Sequence, residues 1–280
     1  MKTLVFGRTG QVARALQAQA EVIALGRDSA DLSRPATCAD AIHEARPDIV
    51  INAAAYTAVD RAEDEPKLAH TVNCAAPGAM AKACAALDIP FLHISTDYVF
   101  DGAGTAPFQP EAPISPLGVY GRTKAEGEAA VRATGARHVI LRTSWVFSEH
   151  GANFVKTMLR LSETRSALSV VDDQIGGPTP AGDIAEALLV MALPLSEGHA
   201  GGTYHYAGVP SVSWCDFARE IFRASGRSVD VTGIPSADYP TPARRPLNSR
   251  LDCMSTTTDF GIAPPDWKAA LADIIERLRT

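Results

Sequence analysis

The chain has 280 residues, 46% of them hydrophobic, with a formal net charge of −6 and a pI near 5.6. This composition predicts a globular protein with a sizeable core, and the acidic balance without any Lys- and Arg-rich run argues against nucleic-acid and membrane-surface partners. The charge balance therefore predicts a small-molecule partner. Five widely spaced cysteines without a C-x-x-C pair argue against a disulfide framework or a zinc site, and the apolar runs, which are only of strand length, predict a cytoplasmic protein.

Short apolar segments alternate with longer helix-like segments through the first half of the chain. In chain order, the predicted elements are strand Thr3–Phe6, helix Gln11–Gln19, strand Val22–Leu25, helix Cys38–Glu44, strand Ile49–Asn52, helix Lys67–Leu87, strand Phe91–Ser95, helix Gly121–Arg132 and strand Val139–Arg142. Alternation of this kind is typical of crossover units that build a parallel sheet covered on both faces. The sequence therefore predicts an α/β fold with a Rossmann-like, doubly wound parallel sheet.

Beyond Phe147 the regular alternation is lost, and frequent prolines separate shorter elements. This half predicts a smaller, irregular α/β substrate-binding lobe. We expect a dinucleotide-binding domain over residues 1–147 and a mainly substrate-binding lobe over residues 148–280. Helices are predicted near Gly182–Ala192 and Trp214–Ala224, and part of residues 170–215 is expected to fold back onto the sheet.

The loop from Gly7 to Ala13 joins the first predicted strand to the first helix. Glycine lets the backbone turn tightly and approach a pyrophosphate, which the helix N-terminus stabilises through free N–H groups and its dipole. Its place directly after the first strand favours a dinucleotide site over an ordinary tight turn. Gly26 stands where NAD-preferring folds carry an acid, and Arg27 suits a 2′-phosphate unless it is only a solvated surface charge. We expect NADPH, with NADH possible.

The carboxyl end of the fourth predicted strand presents Thr96 and Asp97 where such sheets bind ligands. Tyr120 and Lys124 follow at i, i+4 spacing, which places a phenol and an ammonium on one helix face. A neighbouring cation favours the phenolate, so Lys124 is expected to lower the pKa of Tyr120. Ketone reduction needs hydride at carbon and a proton at oxygen. The sequence predicts a carbonyl reductase in which Tyr120 donates the proton, Thr96 a second hydrogen bond, and Lys124 also reaches the cofactor ribose.

Several sequence blocks, which together span nearly the whole chain, carry a family resemblance. They are Gly7–Ala13, Asn52–Glu63, Ser95–Gly102, Tyr120–Lys124, Arg142–Phe147 and Pro240–Leu251. In this order they resemble the dTDP-4-dehydrorhamnose reductases, which are extended short-chain dehydrogenase/reductases. The resemblance implies an oxidoreductase of dTDP-rhamnose biosynthesis. It would reduce the 4-keto group of the nucleotide sugar dTDP-4-dehydro-L-rhamnose to dTDP-L-rhamnose with NADPH or NADH, as the last step toward a cell-surface polysaccharide.

The resemblance also implies roles for single residues. Gly7 in the glycine loop and Arg27 after the second strand are further expected cofactor contacts. The expected catalytic residues are Tyr120, Lys124 and Thr96. The expected cofactor contacts are Gly7, Gly10, Gln11, Val12, Arg27, Asp31, Leu32, Ala55, Tyr56, Thr57, Ile94, Tyr120 and Lys124. The expected substrate contacts are Thr96, Asp97, Trp145, Asn153 and Arg245. Two of these residues also have a structural interpretation: Asp31 could be a helix cap and Trp145 a core indole. The diphosphate of the substrate could be held by either Arg244 or Arg245.

One departure from the family pattern bears on metals and assembly. Ala15 stands where some family members carry a glutamate that contributes to a magnesium site between subunits. We therefore expect no metal, and a monomer or a homodimer.

Alternative interpretations share part of the pattern. Sugar-nucleotide 4-epimerases share the glycine loop and the Tyr/Lys pair but retain NAD, and they usually have longer substrate lobes. GDP-fucose synthases normally carry a cysteine where this chain has Asp97. The regulatory subunit of methionine adenosyltransferase resembles the family but acts by binding a partner, and the joint presence of Thr96, Tyr120 and Lys124 favours catalysis over that role.

Overall fold

The computed structural model describes residues 1–279. Its strands are β1 (Thr3–Phe6), β2 (Val22–Leu25), β3 (Ile49–Asn52), β4 (Phe91–Thr96), β5 (His138–Thr143), β6 (Val146–Phe147), β7 (Ala167–Val171), β8 (Ile175–Gly176), β9 (Thr179–Pro180), β10 (Gly201–His205), β11 (Val212–Ser213), β12 (Asp230–Ile234) and β13 (Asn248–Ser249). Its α-helices are α1 (Gln11–Gln19), α2 (Pro35–Ala45), α3 (Val59–Asp64), α4 (Pro66–His70), α5 (Ala76–Leu87), α6 (Val119–Arg132), α7 (Phe154–Leu161), α8 (Ala181–Ser196), α9 (Trp214–Ser225), α10 (Met254–Phe260) and α11 (Trp267–Arg279).

The central sheet has six strands in the order β2-β1-β3-β4-β5-β10, and every pairing in it is parallel. Strands such as β1 and β3 are buried along their whole length, as expected for a parallel sheet covered by helices on both faces. The predicted Rossmann-like α/β fold is confirmed. The strand order reverses between β1 and β3, and this switch point opens a crevice at the carboxyl ends of the strands.

The predicted helix Lys67–Leu87 is divided in the structure, so the prediction of one continuous helix is wrong. A π-helical turn over Thr71–Ala75 separates α4 from α5. Pro77, in the first turn of α5, has no N–H to donate to the Asn73 carbonyl. Gly127 of α6 packs directly against that carbonyl, which leaves no space for a Cβ atom there. The interruption thus lets α6 approach this segment backbone to backbone.

The second half of the chain contributes to two cores. β10 pairs with β5 and extends the central sheet, and α8 packs against α1 on one face of it. The smaller lobe is built around the parallel β7/β12 pair and helices α7, α9 and α11, whose apolar faces share one buried cluster. Within residues 1–279, every helix is too short or too polar to cross a membrane.

Candidate active site

A cavity of about 760 Å³ lies at the carboxyl ends of the central strands. Loops and strand ends from β1 to β5, together with α6, form its wall. Most of the residues predicted from the sequence line it, namely Gly7, Gly10, Gln11, Val12, Arg27, Asp31, Leu32, Ala55, Thr57, Ile94, Thr96, Asp97, Tyr120, Lys124 and Trp145. The structure thus brings together residues that are far apart in the sequence.

The glycine loop has the geometry that a pyrophosphate requires. Gly7 has a φ of +111°, a conformation that L side chains rarely adopt, and a Cβ there would lie 3.3 Å from the Ala53 backbone. Gly10 caps α1 without any side-chain hydrogen bond, and the first turn of α1 has no acidic residue. The free N–H groups of this turn therefore remain available to an anion.

Two guanidinium groups lie at the end of β2, where a cofactor ribose is expected. Arg8 lies close to Gly26, because a Cβ atom on Gly26 would be only 2.9 Å from the Arg8 guanidinium carbon. Arg8 Nη2 forms an ion pair with Asp28 Oδ2 at 3.1 Å. Arg27 is 86% exposed and lies 3.9 Å from Asp31. The hydrogen bond from Arg8 lowers the pKa of the Asp28 carboxyl. Arg8 is not predicted from the sequence, because only the fold brings its guanidinium next to Gly26.

Tyr120 is held in the first turn of α6 with its hydroxyl hydrogen-bonded to Thr96. The Thr96 hydroxyl in turn donates to Asp97 Oδ1 at 3.0 Å, and it accepts from the Tyr98 N–H at 3.2 Å. The rings of Tyr120 and Tyr98 meet edge to face with centroids 5.5 Å apart. These contacts fix the phenol at the inner end of the cavity.

Burial raises the pKa of Tyr120 to about 12. The expectation that Lys124 lowers this pKa is therefore wrong for the ligand-free protein. Lys124 is itself only 2% exposed, and its Nζ donates to the Ile94 carbonyl at 2.7 Å and lies 3.2 Å from His93 Nε2. Burial lowers the pKa of Lys124 to about 8, although Glu128 one turn further on raises it. With its own pKa near 12, Tyr120 is a protonated phenol at neutral pH, as a proton donor must be.

Asp97 lines the cavity but is only 2% exposed. Its Oδ2 is buried and makes no hydrogen bond of ordinary geometry within residues 1–279, although a hydrogen bond from the Ser249 side chain acts to lower the pKa of this carboxyl. A buried acceptor without a well-formed hydrogen bond is costly. Burial also raises the pKa of Asp97 to about 6, so the side chain is mainly a carboxylate at neutral pH.

Trp145 is partly buried: it lies in the cavity wall and also packs against the core of the smaller lobe. Its φ of +49° is unfavourable for a large side chain. The indole stacks on Trp214 with centroids 3.6 Å apart, and a Cβ on Gly176 would lie 2.7 Å from it. The stacking partner and the glycine thus hold a flat apolar surface toward the cavity.

Three predicted site residues lie outside the cavity wall and contact protein groups instead. The Tyr56 hydroxyl donates to Glu65 Oε2 at 2.7 Å. Asn153 caps α7 through its side-chain oxygen, and its Nδ2 donates to Gln11 Oε1 at 2.9 Å. The third residue, Arg245, pairs with Asp60 at 2.9 Å.

Comparison with known proteins gives full-length matches. The model of the RmlD substrate binding domain family matches residues 1–280. The chain is 46% identical to a dTDP-4-dehydrorhamnose reductase of Sinorhizobium fredii, over 98% of this chain and 97% of that protein. It resembles the crystal structure of a dTDP-4-dehydrorhamnose reductase of Clostridium acetobutylicum, with a TM-score of 0.94 and 36% identity over 100% of both chains. A Bacillus anthracis dTDP-4-dehydrorhamnose reductase in complex with NADP gives a TM-score of 0.91 and 32% identity, over 99% of this chain and 100% of that one.

Proposed function

Because the chain belongs to the RmlD substrate binding domain family, we propose that it reduces the 4-keto group of dTDP-4-dehydro-L-rhamnose to give dTDP-L-rhamnose. The observation that carries the proposal is the hydrogen-bonded series Tyr120, Thr96 and Asp97 beside a glycine loop suited to a pyrophosphate. A nicotinamide cofactor supplies the hydride when bound. The protein must then supply a proton and hold the sugar.

In the proposed mechanism, Tyr120 donates its proton to the oxygen at C4 of the sugar. The raised pKa of this phenol keeps the proton in place until negative charge develops on that oxygen. The Thr96 hydroxyl turns from Asp97 to donate a second hydrogen bond to the same oxygen. Asp97, in the cavity wall, accepts from a sugar hydroxyl, and Trp145 provides the flat surface against which the sugar nucleotide lies.

The residues that would hold the cofactor follow the course of the cavity. The free N–H groups after Gly10 suit the pyrophosphate, and Arg8 and Arg27 suit a 2′-phosphate. Lys124, which lines the same cavity, is proposed to contact the nicotinamide ribose. We propose that residues 1–147, with α8 and β10, form the cofactor-binding part, and that most of residues 148–280 bind the sugar nucleotide. We also propose that the protein is cytoplasmic and is a monomer or a homodimer.

Substitution of Arg8 by Ala tests the cofactor preference. A guanidinium bound to a phosphate contributes about 1.5–3 kcal/mol, so we expect the KM for NADPH to rise about tenfold or more. The KM for NADH should change little, because that cofactor lacks the 2′-phosphate. Steady-state kinetics with both cofactors measures the effect, and Arg14→Ala on the exposed face of α1 is the matched control. An equal change in both constants would contradict the assignment.

Asp97 is expected to make substrate binding pH-dependent. With a pKa near 6 the side chain is a carboxylate above this pH and becomes protonated below it, so the charged acceptor is lost as the pH falls. We expect the KM for the sugar nucleotide to rise as the pH is lowered from 7 to 5. In Asp97→Asn the KM should be about tenfold higher, from a lost charge-assisted hydrogen bond, and flat over the same range. An unchanged KM in this variant would remove Asp97 from the binding site.

The proposed reaction is tested by mixing the protein with NADPH and dTDP-4-dehydrorhamnose and following the absorbance of the reduced nicotinamide. We expect cofactor oxidation that stops when the limiting sugar nucleotide is consumed. dTDP-glucose, which has no keto group, serves as the control and should give no oxidation. Absence of oxidation with the keto sugar would refute the proposal.

A further inference from the structure

Three side chains that can bind a metal ion meet on the outer surface of the molecule. They are His70 at the end of α4, Cys74 in the π-helical turn and Glu126 on α6. Their ligand atoms, which are an imidazole nitrogen, a thiol sulfur and a carboxylate oxygen, all lie within 4.8 Å of one another. The three residues lie apart from those that line the 760 Å³ cavity, so the proposed reduction does not use them.

The backbone beside Cys74 brings the π-helical turn and α6 into direct contact. Gly127 packs against the Asn73 carbonyl without space for a Cβ atom, and a Cβ on Gly127 would also lie 3.4 Å from the Cys74 Cα. Cys74 follows Asn73 in the chain, and Glu126 precedes Gly127, so this close approach places the Cys74 and Glu126 side chains beside each other. π-helical turns occur frequently at functional sites, and the active-site cavity gives this one no role.

Hydrogen bonds of the fully buried Asn73 side chain hold the turn in place. Its Oδ1 accepts from the Tyr56 N–H at 2.8 Å, and its Nδ2 donates to the Tyr56 carbonyl at 3.1 Å and to Thr123 Oγ1 at 3.2 Å. The turn is thereby tied both to the loop after β3 and to α6. Cys74 consequently stands on a fixed backbone.

The other two side chains are free to move onto the Cys74 sulfur. The His70 and Glu126 side chains are 52% and 43% exposed, and His70 Nε2 lies 3.6 Å from Glu126 Oε2. Metal bonds of about 2.0–2.3 Å in a tetrahedral arrangement place ligand atoms roughly 3.3–3.8 Å apart, so this distance already fits. His70 and Cys74 are also at i, i+4 spacing, which puts them on one helix face. Rotation of the two exposed side chains is enough to close the site.

We propose that His70, Cys74 and Glu126 form a binding site for Zn²⁺. This ion takes nitrogen, sulfur and oxygen ligands of these three kinds, and it is found with three protein ligands and a water in the fourth position. A thiolate and an imidazole do not suit Mg²⁺ or Ca²⁺, which prefer oxygen ligands. The sulfur–zinc bond forms as the thiol proton passes to water, and no electron is transferred. A bound ion links the π-helical turn to α6, the helix that carries Tyr120 and Lys124.

The site goes beyond the proposed function and does not depend on it. The expectation of no metal rested on Ala15 and on the spacing of the cysteines. Spacing along the chain does not reveal a ligand set that two helices bring together from distant parts of the sequence.

Titration of the full-length protein with Co²⁺ tests the proposal. The protein is treated with EDTA, freed of the chelator and kept under nitrogen so that its thiols stay reduced. Co²⁺ accepts the ligands of Zn²⁺ and, unlike Zn²⁺, absorbs light. We expect one Co²⁺ to bind per chain, with a near-ultraviolet thiolate-to-cobalt band and the visible bands of a four-coordinate ion. Zn²⁺, which binds such ligands more tightly, should then displace the cobalt and remove both sets of bands.

Single substitutions assign the three ligands. Cys74→Ser, and Cys74→Ala as a second variant, should lose the thiolate-to-cobalt band while the circular dichroism spectrum stays that of the wild-type protein. His70→Ala and Glu126→Gln should each weaken Zn²⁺ binding, measured by calorimetry, by about tenfold or more, since loss of even an outer-shell partner typically costs 10–100-fold. His43→Ala and Glu44→Gln change exposed residues at the end of α2. They are the matched controls and should leave the Zn²⁺ affinity unchanged.

Three results would overturn the proposal. They are a wild-type protein that binds no Co²⁺, a cobalt spectrum without a thiolate band, and a thiolate band that persists in both Cys74 variants. Equal losses of Zn²⁺ affinity in the site variants and in the α2 controls would overturn it as well. The titrations use neither cofactor nor sugar nucleotide. Failure to reduce the keto sugar would therefore refute the proposed function without changing these spectra, and the reverse also holds.

Discussion

Replacement of Tyr120 by Phe is expected to lower kcat by about 10²–10⁴-fold, which is the usual contribution of a positioned general acid. The substitution removes only the hydroxyl that bonds to Thr96. The ring and its edge-to-face contact with Tyr98 remain, so the fold and the cavity should be kept. Cofactor affinity, measured by quenching of tryptophan fluorescence, should change by less than about threefold, a difference within 1 kcal/mol.

Controls separate this effect from a general loss of structure. Tyr239 is 58% exposed, so Tyr239→Phe should keep the wild-type kcat. The thermal midpoint of Tyr120→Phe should lie close to that of the wild-type protein. A Tyr120→Phe variant with near wild-type turnover would show that another group supplies the proton.

Replacement of Glu128 by Ala is expected to reduce the free energy of unfolding by about 3–5 kcal/mol. Glu128 is fully buried and accepts hydrogen bonds from Arg142 Nε at 2.8 Å and Nη2 at 2.7 Å, and from Ser95 Oγ at 2.6 Å. Without the carboxylate, the buried guanidinium of Arg142 keeps its charge but loses its counter-ion. Equilibrium unfolding in urea, followed by circular dichroism, measures the loss.

A matched substitution on the same helix tests whether the loss comes from the buried pair. Glu126 has a side chain that is 43% exposed and pairs with the half-exposed His70 at 3.6 Å. Glu126→Ala should therefore cost less than about 1 kcal/mol. Burial of Glu128 raises its pKa, but the hydrogen bonds and the charge of Arg142 outweigh this effect and lower the pKa below the ordinary value. The stability that the Glu128–Arg142 pair contributes should therefore be lost only as the pH falls below the ordinary range of a glutamate. Equal losses from Glu126→Ala and Glu128→Ala would contradict this account.

Local patterns in the sequence were sufficient to predict the central sheet and much of the cavity wall. β1 and α1 have the predicted bounds because an apolar strand, a glycine loop and an amphipathic helix follow each other directly. The spacing of Tyr120 and Lys124 placed both on the cavity side of α6. Each of these features depends on residues that are neighbours in the chain.

Features that depend on distant residues could not be predicted in this way. The pKa of Tyr120 is raised because the phenol is buried and the charge of Asp97 lies near it, which no spacing reveals. Asn153 and Arg245 engage Gln11 and Asp60, residues more than a hundred positions away. Their motifs indicated a site, but only the fold shows which partner each side chain has.

The proposed reduction is tested most directly with NADPH that is deuterated at the transferable position of the nicotinamide. After incubation with dTDP-4-dehydrorhamnose, NMR and mass spectrometry of the nucleotide sugar locate the label. We expect dTDP-rhamnose with one deuterium on C4 and a proton from solvent on the adjoining oxygen. A product without deuterium at C4, or a keto sugar recovered unchanged, would contradict it.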